Sequence, residues 1–289
     1  MQNMNMNINM NININDSLIG SALFVATFLG YSYSTHNKSK QTVSVADTEG
    51  MQAVNFHFTR QCNYDCGFCF HTAKTSYGLP LEDCKVIILK VRNSGCKKIN
   101  FAGGEPFLYP AKLGEMVKYA KEVCGYESVS IISNSRHITE DWFKKYHEYL
   151  DILGVSCDSA IDEVNKKIGR GNGKHVEYIK KAAALAHKYK VIFKLNTVVN
   201  RYNFNENMIE LVNTIKPIRW KIFQVLALEG ENVGDNSKKD VKPFLVTDEE
   251  FQLFVKKHQQ ELDSHADIMK IEDNSTMHLI ISLMNMGIC

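Results

Sequence analysis

The chain has 289 residues, 44% hydrophobic and 23% charged, enough for one large domain or two small ones with an ordinary globular core. Its net charge is +2 at pH 7, which excludes a surface built throughout for polyanions and confines any anion site to a local cluster. Its eight cysteines do not suit a disulfide-stapled secreted module, because three crowd into residues 62–69; reduced thiols around a metal site fit better.

Residues 4–15, MNMNINMNININ, alternate an apolar residue with Asn. Period two is a strand pattern, but the low complexity points to a poorly structured arm. Leu18 to Tyr33, LIGSALFVATFLGYSY, carry no charge. As a helix this stretch is roughly 24 Å long, short of the ~30 Å hydrocarbon core. It is apolar all round and lacks a preceding basic region, unlike an in-plane amphipathic helix or a signal peptide. His36, Lys38 and Lys40 follow it and favour a cytosolic position for what lies downstream. The segment is expected to be a short N-terminal membrane anchor, with a cleaved signal or a buried core helix as alternatives. Residues 1–51 therefore read as arm, anchor and polar linker.

From 52 to about 265 strands and helices alternate. Strand-like runs fall at 53–59, 97–103, 128–134, 152–158, 191–199 and 221–228. Helical patterns fall at 81–94, 111–124, 139–149, 174–189, 205–215 and 247–264. Such alternation predicts parallel strands with right-handed crossovers, an α/β partial (β/α)6 barrel whose sites gather at the C-terminal strand ends. Residues 266–289 read as a divergent tail.

The motifs fall at those strand ends. CNYDCGFC places Cys62, Cys66 and Cys69 in a C-x3-C-x2-C spacing after the first strand. Three thiolates can hold a 4Fe–4S cluster with one iron open, and that iron can chelate the amine and carboxylate of S-adenosylmethionine. Zinc sites more often pair C-x2-C with a second, distant pair, which is absent here. Phe68 is placed to cover the cluster or an adenine ring; ordinary core packing is the alternative. GGEP follows the second strand: Gly103 and Gly104 let backbone approach a ligand, and Glu105 could hold an ammonium group. Asn134, Ser156 and Arg170 stand at or beyond later strand ends, where they could bind the ribose and carboxylate of the same cofactor.

Polar residues alternate with apolar ones along strands one, two and five, so the polar set, with Asn55, Lys98 and Lys194, should face the barrel lumen. Arg219 and Lys221 open strand six. A buried unpaired lysine is costly, and Asp158 is the main candidate carboxylate on the strands. A bound polyphosphate is the simplest partner, unless the lysines snorkel out at strand ends.

These segments resemble radical S-adenosylmethionine enzymes, and within them the viperin group. The likeness is carried by NFHFTRQCNYDCGFCFHTAKTS (55–76), KINFAGGEPFL (98–108), YLDILGVSCDS (149–159), IGRGNGKHVE (168–177), KLNTVVNRYN (194–203) and RWKIFQVLALEGEN (219–232). The resemblance implies a radical SAM lyase, dependent on 4Fe–4S and SAM, that dehydrates CTP to 3′-deoxy-3′,4′-didehydro-CTP in antiviral innate defence. It implies that Asn55, Lys98, Lys194, Arg219 and Lys221 bind the nucleotide, that Ser156 and Arg170 serve the cofactor, and that an external electron donor is needed. It also implies a place on the cytosolic face of the endoplasmic reticulum membrane or on lipid droplets, with residues 18–33 at the membrane surface and no nucleic-acid polymer as partner. An enzyme acting on another nucleotide, or a membrane-anchored scaffold, are the alternatives. The sequence departs from the group at Ser135, where glycine is usual, at Ala102, where serine is usual, and in HLIISLMNMGIC (278–289). That last stretch reads as an early or alternative ending, expected to leave cofactor binding intact but closure over nucleotide poor.

Overall fold

The computed structural model describes residues 53–70, 78–235, 237–262 and 267–272, together with the backbone of 24–27. One eight-stranded sheet runs in strict sequence order. The strands are β1 (Phe24–Thr27), β2 (Ala53–His57), β3 (Lys98–Ala102), β4 (Ser128–Ser133), β5 (Ile152–Ser156), β6 (Ile192–Val199), β7 (Arg219–Gln224) and β8 (Met269–Glu272). From β2 to β8 every neighbouring pair is parallel. The sheet curls into an open half-barrel. The six expected strands are therefore joined by a seventh parallel one, β8, within the stretch expected to be a divergent tail. Its MKIE alternation is short, and its distance from the sixth strand hides it in the sequence.

The helices are α1 (Leu81–Asn93), α2 (Pro110–Lys118), α3 (Glu140–Tyr146), α4 (Asp162–Ile168), α5 (His175–Lys188), α6 (Ile209–Ile215) and α7 (Asp248–Leu262). Each crossover leaves a strand's C-terminal end and returns to the next strand's start, so all the strand-end loops share one mouth. Strand alternation sorts the side chains. Val54, Phe56, Ile99, Phe101, Leu153, Val155, Phe193, Leu195, Trp220 and Ile222 are buried beneath the helices. Their neighbours Asn55, Asn100, Lys194 and Lys221 are only half-buried and face the lumen, as period two requires. The sixth expected strand begins earlier than its apolar run. Lys216 ends α6 in a left-handed conformation (φ 45°), and Arg219 already pairs with Lys194.

The N-terminal expectation changes at one point. Residues 24–27 form an antiparallel edge strand on β2, in register Phe24 opposite Phe56, rather than a helical turn. The outer edge of β2 needs hydrogen-bonding partners, and an aromatic and β-branched segment can supply them. The rest of the expected anchor, and HLIISLMNMGIC, lie outside the described residues. No helix among the described residues is long and apolar enough to cross a membrane. The described cysteines are all free thiols.

Candidate active site: a cysteine mouth above a lysine-lined lumen

The cysteine loop leaves β2 and is pinned from several sides. Gly104 and Glu105 donate their backbone N–H groups to the carbonyls of Thr59 (3.0 Å) and Gln61 (2.7 Å). Asp65 and Gly67 donate to the carbonyls of Gly169 (3.0 Å) and Ile168 (2.9 Å). A Cβ on Gly104 would stand 1.9 Å from the Gln61 carbonyl, and one on Gly169 (φ 86°) would stand 2.3 Å from that of Asp65. Both glycines are thus required by close approach. For Gly104, what approaches is the cysteine loop itself, where the sequence suggested a ligand.

Glu105 is 1% exposed, and its carboxylate ties strand ends together. Oε1 accepts from Phe107 N–H (2.9 Å) and the Ser133 hydroxyl (2.8 Å), and Oε2 accepts from Asn134 N–H (2.7 Å). Burial pushes its pKa up to about 7. Three of roughly four acceptor positions on a carboxylate are used, so an ammonium ligand would find one left on Oε2. Asn134 reaches the cysteine loop: its Nδ2 donates to Asn63 Oδ1 (2.7 Å) and lies 3.9 Å from Cys62 Sγ. The next residue, Ser135, takes φ 69°, a left-handed conformation that favours glycine. Its N–H donates to the Ser133 hydroxyl (2.9 Å).

Arg170 is buried and ion-paired with Asp158, which is fully buried and whose Oδ1 also accepts from Val198 N–H (3.0 Å). Asp158 is therefore engaged at the mouth and is not the partner of the lumen lysines. The Arg170 guanidinium lies 5.9 Å from the centre of the Phe68 ring. Phe68 packs edge-on to Phe244 (5.9 Å) in a small apolar cluster with Cys66, Ile168, Val225 and Val241. Ser156 sits on the lumen face, and its carbonyl accepts from His175 Nε2 (2.9 Å). His175 also meets the Tyr64 hydroxyl at 3.3 Å.

The sequence missed a strap after β7. Asn232, fully buried, donates through Nδ2 to the carbonyls of Phe68 (2.8 Å) and Leu226 (3.0 Å). Glu231 makes a two-pronged pair with Arg60 (3.1 and 3.2 Å), and Lys239 pairs with Asp65. An Asn inside a glycine- and charge-rich loop gives no pattern that marks it as a clamp.

Below the mouth, the lumen face carries the expected polar residues. Asn100 Nδ2 donates to Asn55 Oδ1 (2.7 Å), and the Ser130 hydroxyl donates to Asn100 Oδ1 (3.0 Å), a polar row across three strands. Lys194 lies beside Arg219, and Lys221 one residue pair nearer the mouth beside Asn196. Among the described residues Lys194 has no carboxylate partner. Its pKa is lowered by burial first, and then by Arg219, Lys221, Lys98 and Lys270. Lys98, at the entry end of β3, and Arg219, at the start of β7, are exposed. Lys221 pairs with Glu272 on β8 (2.7 Å), a carboxylate the sequence reading did not include.

The three thiols fit a cluster by chemistry and by what surrounds them. Burial raises the pKa of Cys62, and raises that of Cys66 to about 12, while Cys69 also opposes ionisation of both and Cys62 that of Cys66. Cys66 is buried, Cys69 half-buried and Cys62 exposed, and bound cationic metal would let such close thiolates be ionised together. Asn63 Nδ2, between Cys62 and Tyr64, is buried without a hydrogen-bond partner, an orphan donor beside the thiols. Among the described residues no three His, Cys, Asp or Glu side chains stand in a preformed metal shell.

Comparison with known proteins gives the family. The profile of the Radical SAM superfamily matches residues 56–216. An S-adenosylmethionine-dependent nucleotide dehydratase RSAD2 of Danio rerio is 50% identical over 72% of this chain and 59% of its own length. The protein of the same name from Oncorhynchus mykiss is 46% identical over 78% of this chain and 68% of its own. The chain thus spans about three-fifths to two-thirds of the length of these relatives. Among solved structures, SuiB of Streptococcus suis bound to S-adenosylmethionine superposes with TM-score 0.57 at 16% identity, over 75% of this chain and 49% of that one. The enzyme anSMEcpe with bound AdoMet gives 0.56 at 22% identity, over 74% and 59%. These structural likenesses establish the fold. Radical SAM proteins carry a 4Fe–4S cluster and S-adenosylmethionine. On the profile match and the identity to the fish proteins, the chain belongs to the radical SAM superfamily, in its RSAD2 or viperin-type branch.

Proposed function

We propose that the chain is a SAM-dependent dehydratase of nucleoside triphosphates, with CTP as substrate and 3′-deoxy-3′,4′-didehydro-CTP as product. One observation carries this reading: the lumen beneath the cysteine mouth gathers Lys98, Lys194, Arg219 and Lys221, and Lys194 has no carboxylate partner among the described residues. A polyanion supplies the missing countercharge, and relatives at 46–50% identity are named nucleotide dehydratases.

Cys62, Cys66 and Cys69 would hold the cluster. Phe68, Gly103, Gly104, Glu105, Asn134, Ser156 and Arg170 would form the SAM side of the site. When bound, these cofactors would supply the radical chemistry that removes the ribose C4′ hydrogen, and loss of the 3′-hydroxyl as water would take one further electron and a proton. The chain's own residues fix the geometry for that chemistry. Lys98, Lys194, Arg219 and Lys221 hold the phosphates, so the ribose points toward the mouth. Asn55, steadied by Asn100, offers a hydrogen bond deeper in the lumen. The apolar set around Phe68 and Phe244 covers Cys66 and packs against Cys69. Reduction requires an external electron donor. The protein would act at the cytosolic face of the endoplasmic reticulum or on lipid droplets, in an antiviral role.

The test is anaerobic reconstitution with iron and sulfide, reduction, and addition of SAM with CTP, UTP, GTP, ATP or no nucleotide. The expected result is 5′-deoxyadenosine formed with CTP, with a nucleotide product lighter by one water, and none with Cys66→Ala. Nucleotide-independent cleavage of SAM, with no dehydrated product, would overturn the dehydratase reading. An antiviral effect that survives Cys66→Ala would favour a scaffold.

A further inference from the structure

The lumen holds one more cation than the sequence reading assigned. In the register of the sheet, Ser156, Asn196, Lys221 and Lys270 are successive cross-strand neighbours, and Gly154, Lys194 and Arg219 form the row before them. Cross-strand partners in a parallel sheet point to the same face, so Lys270 shares the lumen face with Lys221. The two ammonium groups converge on one oxygen: Glu272 Oε1 is 2.7 Å from Lys221 Nζ and 3.9 Å from Lys270 Nζ. Glu272 is 11% exposed at its side chain, while Lys270 is 54% exposed and so free to swing toward a ligand. Lys270 also bears on Lys194, whose charge it disfavours.

We propose that Lys270 is a fifth cationic ligand of this anion site, that Glu272 holds Lys221 and Lys270 facing the lumen, and that the site is matched to a triphosphate chain. The inference rests on the nucleotide reading above and deepens it. Among the described residues, five cations against one carboxylate leave four positive charges on this face. A fully ionised nucleoside triphosphate carries about four negative charges, and a monophosphate about two.

The test compares the unaltered chain with Lys270→Met, which keeps the aliphatic stem, and with Lys167→Met, which removes one charge from α4 away from the lumen. Binding of inorganic tripolyphosphate, CTP and CMP is measured by titration calorimetry, with circular dichroism to confirm folding. Loss of one charge-assisted contact predicts about tenfold weaker binding of tripolyphosphate and CTP in Lys270→Met, little change for CMP, and none of this in Lys167→Met. Equal affinities in Lys270→Met and the unaltered chain, or equal losses in the two variants, would overturn the proposal. A chain that binds tripolyphosphate through Lys270 but dehydrates no nucleotide keeps this inference and removes the proposed function. A chain that binds neither anion removes both.

Discussion

The two ends of the site are built on opposite plans. At the mouth, almost every polar group already has a protein partner: Glu105 with Phe107, Ser133 and Asn134, Asp158 with Arg170, Asn232 with Phe68. In the lumen, cations crowd together, and Lys194 is left with repulsion in place of a partner. The polar frame of the mouth is completed by the fold, leaving its thiols for metal, whereas the cations of the lumen are balanced only by a ligand. Preorganised groups contribute to stability as well as to function, while unpaired like charges cost stability for the sake of binding. Substitutions at the mouth should therefore lower stability and function together, and substitutions in the lumen should separate them.

The largest effect is expected from Gly104→Ala. Its new Cβ would meet the Gln61 carbonyl at 1.9 Å, and backbone on both sides resists displacement. A loss of about 3 kcal/mol or more, read by urea denaturation, should accompany loss of the iron–sulfur absorbance after reconstitution. Normal stability in this variant would break the comparison at its strongest point.

Acid should act on the mouth by a comparable amount. Burial lowers the pKa of His57 to about 4 and that of His175 to about 3, so both are neutral in the fold. Unfolded, each takes up a proton below about 6.5. Between pH 6.5 and 4 the unfolded chain therefore binds more protons, and stability rises with pH. It is complete above 6.5 and is lost as pH falls toward 4 for His57 and toward 3 for His175, by roughly 3 kcal/mol for His57 alone. Near pH 5 the two histidines take up close to two protons on unfolding and Glu105, protonated in the fold, gives back most of one, so net uptake should be about one; net release would show that neither histidine is held neutral.

Asn232→Ala should cost about 1–3 kcal/mol by leaving the buried Phe68 and Leu226 carbonyls without their donor. It should also speed cluster loss in air, measured as decay of visible absorbance. Unchanged decay with lowered stability would make the strap a general brace and not a guard of the cysteine loop.

Lys194→Met sharpens the contrast from the other side. Removing a half-buried ammonium that has no carboxylate partner among the described residues should leave the melting temperature unchanged or slightly raised, while CTP binding weakens about tenfold. A marked loss of stability would mean that Lys194 has a structural task, and the distinction between mouth and lumen would fail there.

Much of this plan is legible in the chain. The spacing of Cys62, Cys66 and Cys69, the alternation that sends Asn55, Lys98 and Lys194 inward, and the order of strands and helices all follow from local pattern. Period two assigns a face to each strand residue without knowledge of its neighbours. Tertiary structure alone decided the rest, because it depends on distance across the fold. It gave Asp158 to Arg170 and not to a lysine, since the two meet where the loop after β5 turns back. It supplied Glu272 and Lys270 from a strand that joins the sheet only after the whole of α7. It also turned the glycine pair into a contact with the cysteine loop, because the need for a missing side chain is visible only when the other backbone is in place.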